Sequence, residues 1–166
     1  LKSPKMIISR ESMGDYTNMS GYYDVIMTSG YYDYKKIVDS LTSHGPQQNV
    51  LEIGCGTGLI LEELAKRQPS LPITGIDLTG PMLSIAQKRL APFSTISLSQ
   101  QNICELTLAV QHELAFSYGG VWYFVIDGDK EPFMVSHIAD EDANRRGFER
   151  LSAHMPAPRT IRGDRW

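Results

Sequence analysis

The chain has 166 residues, 42% hydrophobic, 9% aromatic and 21% charged, with a formal net charge of −3. That length and balance read as one soluble globular domain with a real core. No apolar run approaches the ~20 residues of a bilayer span and no charged-then-apolar signal sequence opens the chain, which argues against a membrane protein. The mild acidity argues against nucleic acid as the main partner.

In chain order, the first elements are rich in tyrosine. Gly21-Tyr22-Tyr23-Asp24 is echoed by Gly30-Tyr31-Tyr32-Asp33, a pair too short to make a structural repeat. The pattern predicts two short helices, one from Tyr16 through Met27 and one over Tyr32–Leu41, broken at Gly30. In the second, Tyr34, Ile37, Val38 and Leu41 follow the i, i+3, i+4, i+7 stripe of an amphipathic helix. Beyond a loop at 44–48, strands and helices alternate: Asn49–Gly54, Leu59–Arg67, Ile73–Asp77, Pro81–Leu90 and Thr95–Gln101. Such alternation implies a parallel sheet with right-handed crossovers, so the strand ends converge on one crevice.

His112–Gly120 reads as a fourth strand. Val121–Ile126 and Phe133–Ile138, joined by a turn at Asp127-Gly128-Asp129-Lys130, read as an antiparallel hairpin inserted after it. Trp122, Tyr123 and Phe124 in succession place rings on both faces of that hairpin, so substrate or another surface is expected to cover the second face. Asp140–Leu151 is predicted helical, with acids in its first turn and a solvated charged face. The last twelve residues hold two prolines, three arginines and no strand-length apolar run.

The stretch Val50-Leu51-Glu52-Ile53-Gly54-Cys55-Gly56-Thr57-Gly58 reads as a buried strand breaking into a glycine loop that opens a helix. Its spacing is GxGxG rather than the GxGxxG of a dinucleotide site, and Glu52 stands two residues before the first glycine. A carboxylate there repels a pyrophosphate and suits a cationic ligand. Asp77 ends the next strand about twenty residues on, where an α/β nucleotide site binds ribose hydroxyls.

With these motifs, residues 10–155 resemble the class I S-adenosylmethionine-dependent methyltransferase family, whose first motif is a hydrophobic strand, an acid and GxGxG. The resemblance implies an α/β fold, a Rossmann-like doubly wound sheet with an N-terminal helical cap and an inserted β-hairpin, C-terminally truncated. The implied division is a cap over 1–45, a cofactor-binding core over 46–155 with the hairpin at about 121–138, and an irregular tail over 156–166. A family domain continues with a fifth strand and an antiparallel pair, so an open edge beside the fourth strand is expected, covered by a dimer mate or a partner chain. A chain beginning with Leu is likewise expected to lack its true N-terminus.

The implied cofactor is S-adenosylmethionine, held by Glu52, Gly54, Cys55, Gly56 and Gly58 at the loop and by Asp77 and Leu78 after the second strand. Met82 is implied beside the adenine, with plain core packing as the other reading. Asn102, where many members carry Asp, and the Ile103 N–H are implied contacts to the adenine; a turn or cap role is open for Asn102. Ser117 falls where the fourth strand ends beside the transferred methyl. Tyr16, Tyr22 and Tyr31 are candidates for an aromatic cap over the sulfonium, or are half-buried packing residues.

His137 is the candidate general base on residue type, a structural histidine being the other reading. No metal is expected: His112-Glu113 lacks the second histidine of HExxH, and Lys130 and Pro132 spoil a calcium loop at Asp127-Gly128-Asp129. The implied activity is methyl transfer to a small-molecule acceptor by in-line displacement. A truncated, non-catalytic methyltransferase-like module, serving nucleoside binding or protein interaction, is the alternative. Two cysteines without a framework, Cys55 and Cys104, suggest a reducing, cytoplasmic setting.

Overall fold

A computed structural model of the chain describes residues 19–43, 45, 47–125 and 133–156. The expected turn at Asp127–Lys130 lies outside the described residues, as do Tyr16 and most of the tail. Helix α1 is Ser20–Ile26, followed by a π-helical turn over Met27–Tyr31 in which Gly30 adopts φ 100°. That positive φ makes Gly30 the break the sequence predicts. Helix α2, Tyr34–Thr42, starts where the Asp33 carboxylate accepts the Lys36 N–H, and it buries Ile37 and Val38 as the stripe requires.

Strand β1 is Val50–Ile53, β2 Ile73–Asp77, β3 Ile96–Gln100 and β4 Leu114–Phe116. All neighbours are parallel, in the order β3-β2-β1-β4, with Val50 opposite both Ile73 and Leu114. Helices α3, Leu59–Arg67, and α4, Gly80–Leu90, are the crossovers. Strand alternation splits the core. Val50 packs with Ile37, Val38, Leu61 and Leu64 on the α2–α3–α4 side, while Leu51 and Ile53 pack with Ile103, Leu106 and Trp122 on the other.

β4 is shorter than the predicted His112–Gly120. His112 turns into the interior at 1% exposure, where its Nε2 pairs with Thr74 Oγ1 at 2.9 Å. At the far end Gly119 has φ 64°, which no strand accommodates. Among the described strands β4 pairs with β1 alone.

The hairpin is present as β5, Trp122–Val125, against β6, Phe133–Ser136, antiparallel with Trp122 opposite Ser136. It is fastened to α5, Glu141–Ala153, through a buried amide. Asn144 Oδ1 accepts from Trp122 Nε1 at 2.8 Å and Ser136 Oγ at 2.5 Å, and its Nδ2 donates to the Ile138 and Asp140 carbonyls, both at 2.8 Å. One side of α5 is therefore a docking face, with Phe148 stacked on Trp122, rather than a wholly solvated charge run. No helix among the described residues is long and apolar enough to cross a membrane.

Candidate functional site

The C-terminal ends of β1, β2 and β3 and the turn after β4 open into one cavity. It lies where the chain switches from one side of β1 to the other, the crevice in which open α/β sheets bind ligands. The glycine loop forms its floor. Gly54, Gly56 and Gly58 adopt φ of 75°, 53° and 80°, and the Gly54 and Cys55 amides both donate to the Ile76 carbonyl. Gly54 and Gly56 line the cavity, whereas Gly58 packs behind it against Leu90 and Ala86 of α4.

Opposite Gly54, the turn after β4 approaches backbone to backbone. A Cβ on Gly120 would stand 2.8 Å from the Ile53 carbonyl oxygen, which is backbone, and 2.9 Å from Ser117 Oγ, which is held by the Val121 N–H. Gly120→Ala is thus expected to push that turn off the loop and weaken cofactor binding by about ten-fold or more while the fold survives. Calorimetric titration alongside a circular dichroism melt checks it.

Asp77 joins two backbone turns. Its Oδ2 accepts the Gly56 N–H and its Oδ1 the Thr79 N–H, each at 2.8 Å, so it ties the glycine loop to the start of α4. Two carboxylate oxygens offer about four acceptor sites, which leaves capacity for ribose hydroxyls. Leu78, 44% exposed, and the buried Met82 continue the wall.

Asn102 and Ile103 also line the cavity. Asn102 Oδ1 accepts the Cys104 N–H at 3.0 Å, so the residue caps the short 3-10 turn Ile103–Glu105 and faces the cavity together.

Glu52 and Cys55 sit behind the floor rather than on it. Glu52 is 2% exposed, points to the face opposite Leu51 and Ile53, and leaves Oε2 without a partner. Burial first, and then the charge of Asp77, push its carboxyl well above the usual carboxylate range. Burial, then Glu52 and Asp77, likewise raise the Cys55 thiol, which suits packing rather than reaction. The Asp77 carboxylate on the wall favours positive charge, and Glu52 Oε2 is a buried polar atom left without a partner, so the residues present fit a cationic nucleoside ligand.

Ser117 is not on the cavity wall: its Oγ accepts the Val121 N–H at 3.0 Å and shapes the turn that carries Gly119 and Gly120. His137 is exposed and lines the cavity, its backbone N–H donating to the Val121 carbonyl and its ring meeting Tyr123 edge-on at 6.1 Å. The cap tyrosines divide differently from the sequence expectation. Tyr22 and Tyr31 are 72% and 65% exposed and off the cavity, and Tyr23 lines it instead, beside Gly56. One residue along a helix is a turn of about 100°, enough to exchange the inward and outward rings.

A polar cluster that no motif announces holds the cap to the loop. Arg89 on α4 pairs with Asp24 of α1 and with Glu62 of α3, and its Nε donates to the Thr57 carbonyl at 2.9 Å. Thr57 Oγ1 donates to the same Asp24. Arg89→Ala leaves Asp24 without its cation and Glu62 with Lys66 alone, and is expected to cost about 1–3 kcal/mol and to loosen Tyr23 from Gly56. Urea denaturation measures the first effect and cofactor titration the second.

A family model described as a methyltransferase domain matches residues 50–140. The putative methyltransferase YqeM of Bacillus subtilis is 36% identical over 94 residues, 55% of this chain and 36% of that protein. The malonyl-[acyl-carrier protein] O-methyltransferase of Priestia megaterium is 36% identical over 75 residues, 45% of this chain and 27% of that protein. The chain thus spans about a third of the length of the curated relatives it matches.

Among solved structures, an S-adenosylmethionine-dependent methyltransferase from Clostridium acetobutylicum superposes with TM-score 0.60 at 22% identity, covering 86% of this chain and 54% of that one. The N-methyltransferase NodS from Bradyrhizobium japonicum, in complex with S-adenosyl-L-homocysteine, gives 0.55 at 20% identity, covering 74% and 55%. At those identities the likeness is one of fold.

Proposed function

We propose, from the premise that this chain belongs to the class I S-adenosylmethionine-dependent methyltransferase family, that it binds S-adenosylmethionine in the cavity above β1 and methylates a small-molecule acceptor. The observation that carries the reading is the joining of Gly56 and Asp77 by a 2.8 Å hydrogen bond on the wall of one cavity, with Met82, Asn102 and Ile103 beside them. In this reading Asp77 takes the ribose hydroxyls, Met82 and Ile103 sandwich the adenine, and Asn102 and the Ile103 N–H read its edge. Gly54 lets the methionine part lie against backbone, and the Asp77 carboxylate supplies the negative charge on the wall.

When bound, the cofactor supplies a methyl carbon on a positively charged sulfur; the acceptor's lone pair forms the new bond while the C–S pair returns to sulfur. The chain's own work is alignment and proton removal. His137 takes the acceptor proton, and Tyr23 covers the cofactor where Tyr16, Tyr22 and Tyr31 were the sequence candidates. The free thiols Cys55 and Cys104 support a cytoplasmic setting, and the edge of β4 is the place for a second copy or partner chain.

Calorimetric titration of the purified chain with S-adenosylmethionine, and with NAD as control, tests the reading. Uptake of the first alone is expected. Uptake of NAD alone, or of neither, overturns it. The alternative of a module without turnover gains nothing from relatives that are themselves named as methyltransferases.

A further inference from the structure

The turn after β3 carries Asn102 and Ile103, and a neighbouring side chain closes it. Gln101 lines the cavity beside them, and its whole amide is engaged within the protein. Its Oε1 accepts the Thr107 N–H at 2.9 Å, while its Nε2 donates to the Thr107 carbonyl at 3.0 Å and to Ser99 Oγ at 3.1 Å. Its backbone N–H donates to the Asp77 carbonyl at 3.0 Å. One residue therefore ties the two ends of the turn over 102–106 to each other and to the acid that ends β2.

Inside that turn the polar groups have a fixed sense. Asn102 Oδ1 accepts the Cys104 N–H at 3.0 Å, so the amide cannot exchange its oxygen and nitrogen without breaking that bond. An amide oxygen has two lone pairs, and the second stays open to a donor. Ile103 is the first residue of the 3-10 turn, a position whose N–H has no partner within the turn itself. The turn thus offers an acceptor and a donor one residue apart. Adenine presents the complement, an amino donor at C6 beside an acceptor at N1. Hypoxanthine presents the reverse at both places, and a site with fixed donors and acceptors rejects the reversed pattern.

The clamp governs where that pair stands. Thr107 is exposed, so water replaces the bonds it loses when the Gln101 amide is removed, and the buried Ile103 and Leu106 still anchor the turn in the core. The turn then stays folded but shifts freely against Asp77. We propose that Gln101 is a positioning residue for base recognition: by clamping the turn it holds Asn102 and the Ile103 N–H at the adenine edge, and so makes the site reject a 6-oxo purine. The inference rests on the S-adenosylmethionine reading and goes beyond it in assigning base specificity to a side chain that acts through its neighbours.

The probes are S-adenosyl-L-homocysteine and its 6-oxo counterpart S-inosyl-L-homocysteine, titrated at neutral pH into the full chain and into Gln101→Ala and Gln101→Glu. The parent is expected to favour the adenosyl ligand by at least about ten-fold and both variants by no more than about three-fold, the loss falling on the adenosyl ligand. Glutamate keeps an acceptor for the Thr107 N–H but sets a carboxylate oxygen against the Thr107 carbonyl, so it opens the clamp at nearly constant volume and stands in should the alanine variant not fold. A urea midpoint is measured for each variant. A role in stability alone lowers the midpoint and leaves the ratio at the parent's value, which overturns the proposal, as does a parent that binds both ligands alike. A parent that binds neither ligand overturns the cofactor reading instead.

Discussion

Trp122→Ala is expected to destabilise the protein by about 3–5 kcal/mol, as truncation of a buried aromatic does. The indole is 7% exposed, stacks on Phe148 at 4.1 Å and 13°, and donates to the buried Asn144. Asn144 gathers Trp122 of β5, Ser136 of β6 and the carbonyls of Ile138 and Asp140. Loss of the indole therefore empties a core position and frees the hairpin from α5 together. Against a typical total of about 5–15 kcal/mol, the variant should be marginal near 37 °C.

Trp122→Phe keeps the stacking ring and loses the N–H, so it should cost about 1–2 kcal/mol. Urea midpoints with unchanged slope check both. Because Val121 and His137 flank the hairpin strands and line the cavity, Trp122→Ala should also weaken acceptor binding more than cofactor binding.

Glu52→Gln is expected to raise stability at neutral pH. The folded carboxyl is held protonated well above its ordinary 4.5 by burial and by Asp77, whereas the unfolded chain ionises near that value. The folded state binds the extra proton, so Glu52 lowers stability as pH rises above about 4.5, by about 1.4 kcal/mol per pH unit until the folded group itself ionises. Glutamine removes that slope. The variant should therefore melt higher than the parent at neutral pH, and match it below about pH 4.5.

Since the folded carboxyl is already neutral, glutamine should leave the affinities for S-adenosylmethionine and S-adenosyl-L-homocysteine within about two-fold of the parent. Equal melting temperatures at neutral pH would contradict this account.

The alternation of elements was legible because each signal is local. Helix α3 and strand β2 lie on the residues their patterns predict, and the break at Gly30 follows from one backbone conformation. Asp77 could be placed because a strand, a loop and a helix have nearly fixed lengths, and its bond to Gly56 accords with that spacing. The sequence reading chose Tyr22 and Tyr31, whereas Tyr23 is the tyrosine on the cavity wall among the described residues, since neighbouring tyrosines share composition and differ in helix phase alone. Asn102 was read as two alternatives and serves as cap and cavity wall at once.

By itself, then, the sequence determined the parallel α/β core, the glycine loop and the acid after β2, because hydrophobic period and glycine conformation act over a few residues. Tertiary structure alone decided that Glu52 is buried behind the floor, that Ser117 shapes a turn, and that Arg89 joins α1 to the loop. It alone brought the Tyr32 and Tyr118 rings together, 5.1 Å apart. Burial and approach between residues tens of positions apart depend on how the layers pack, and no local pattern carries that information.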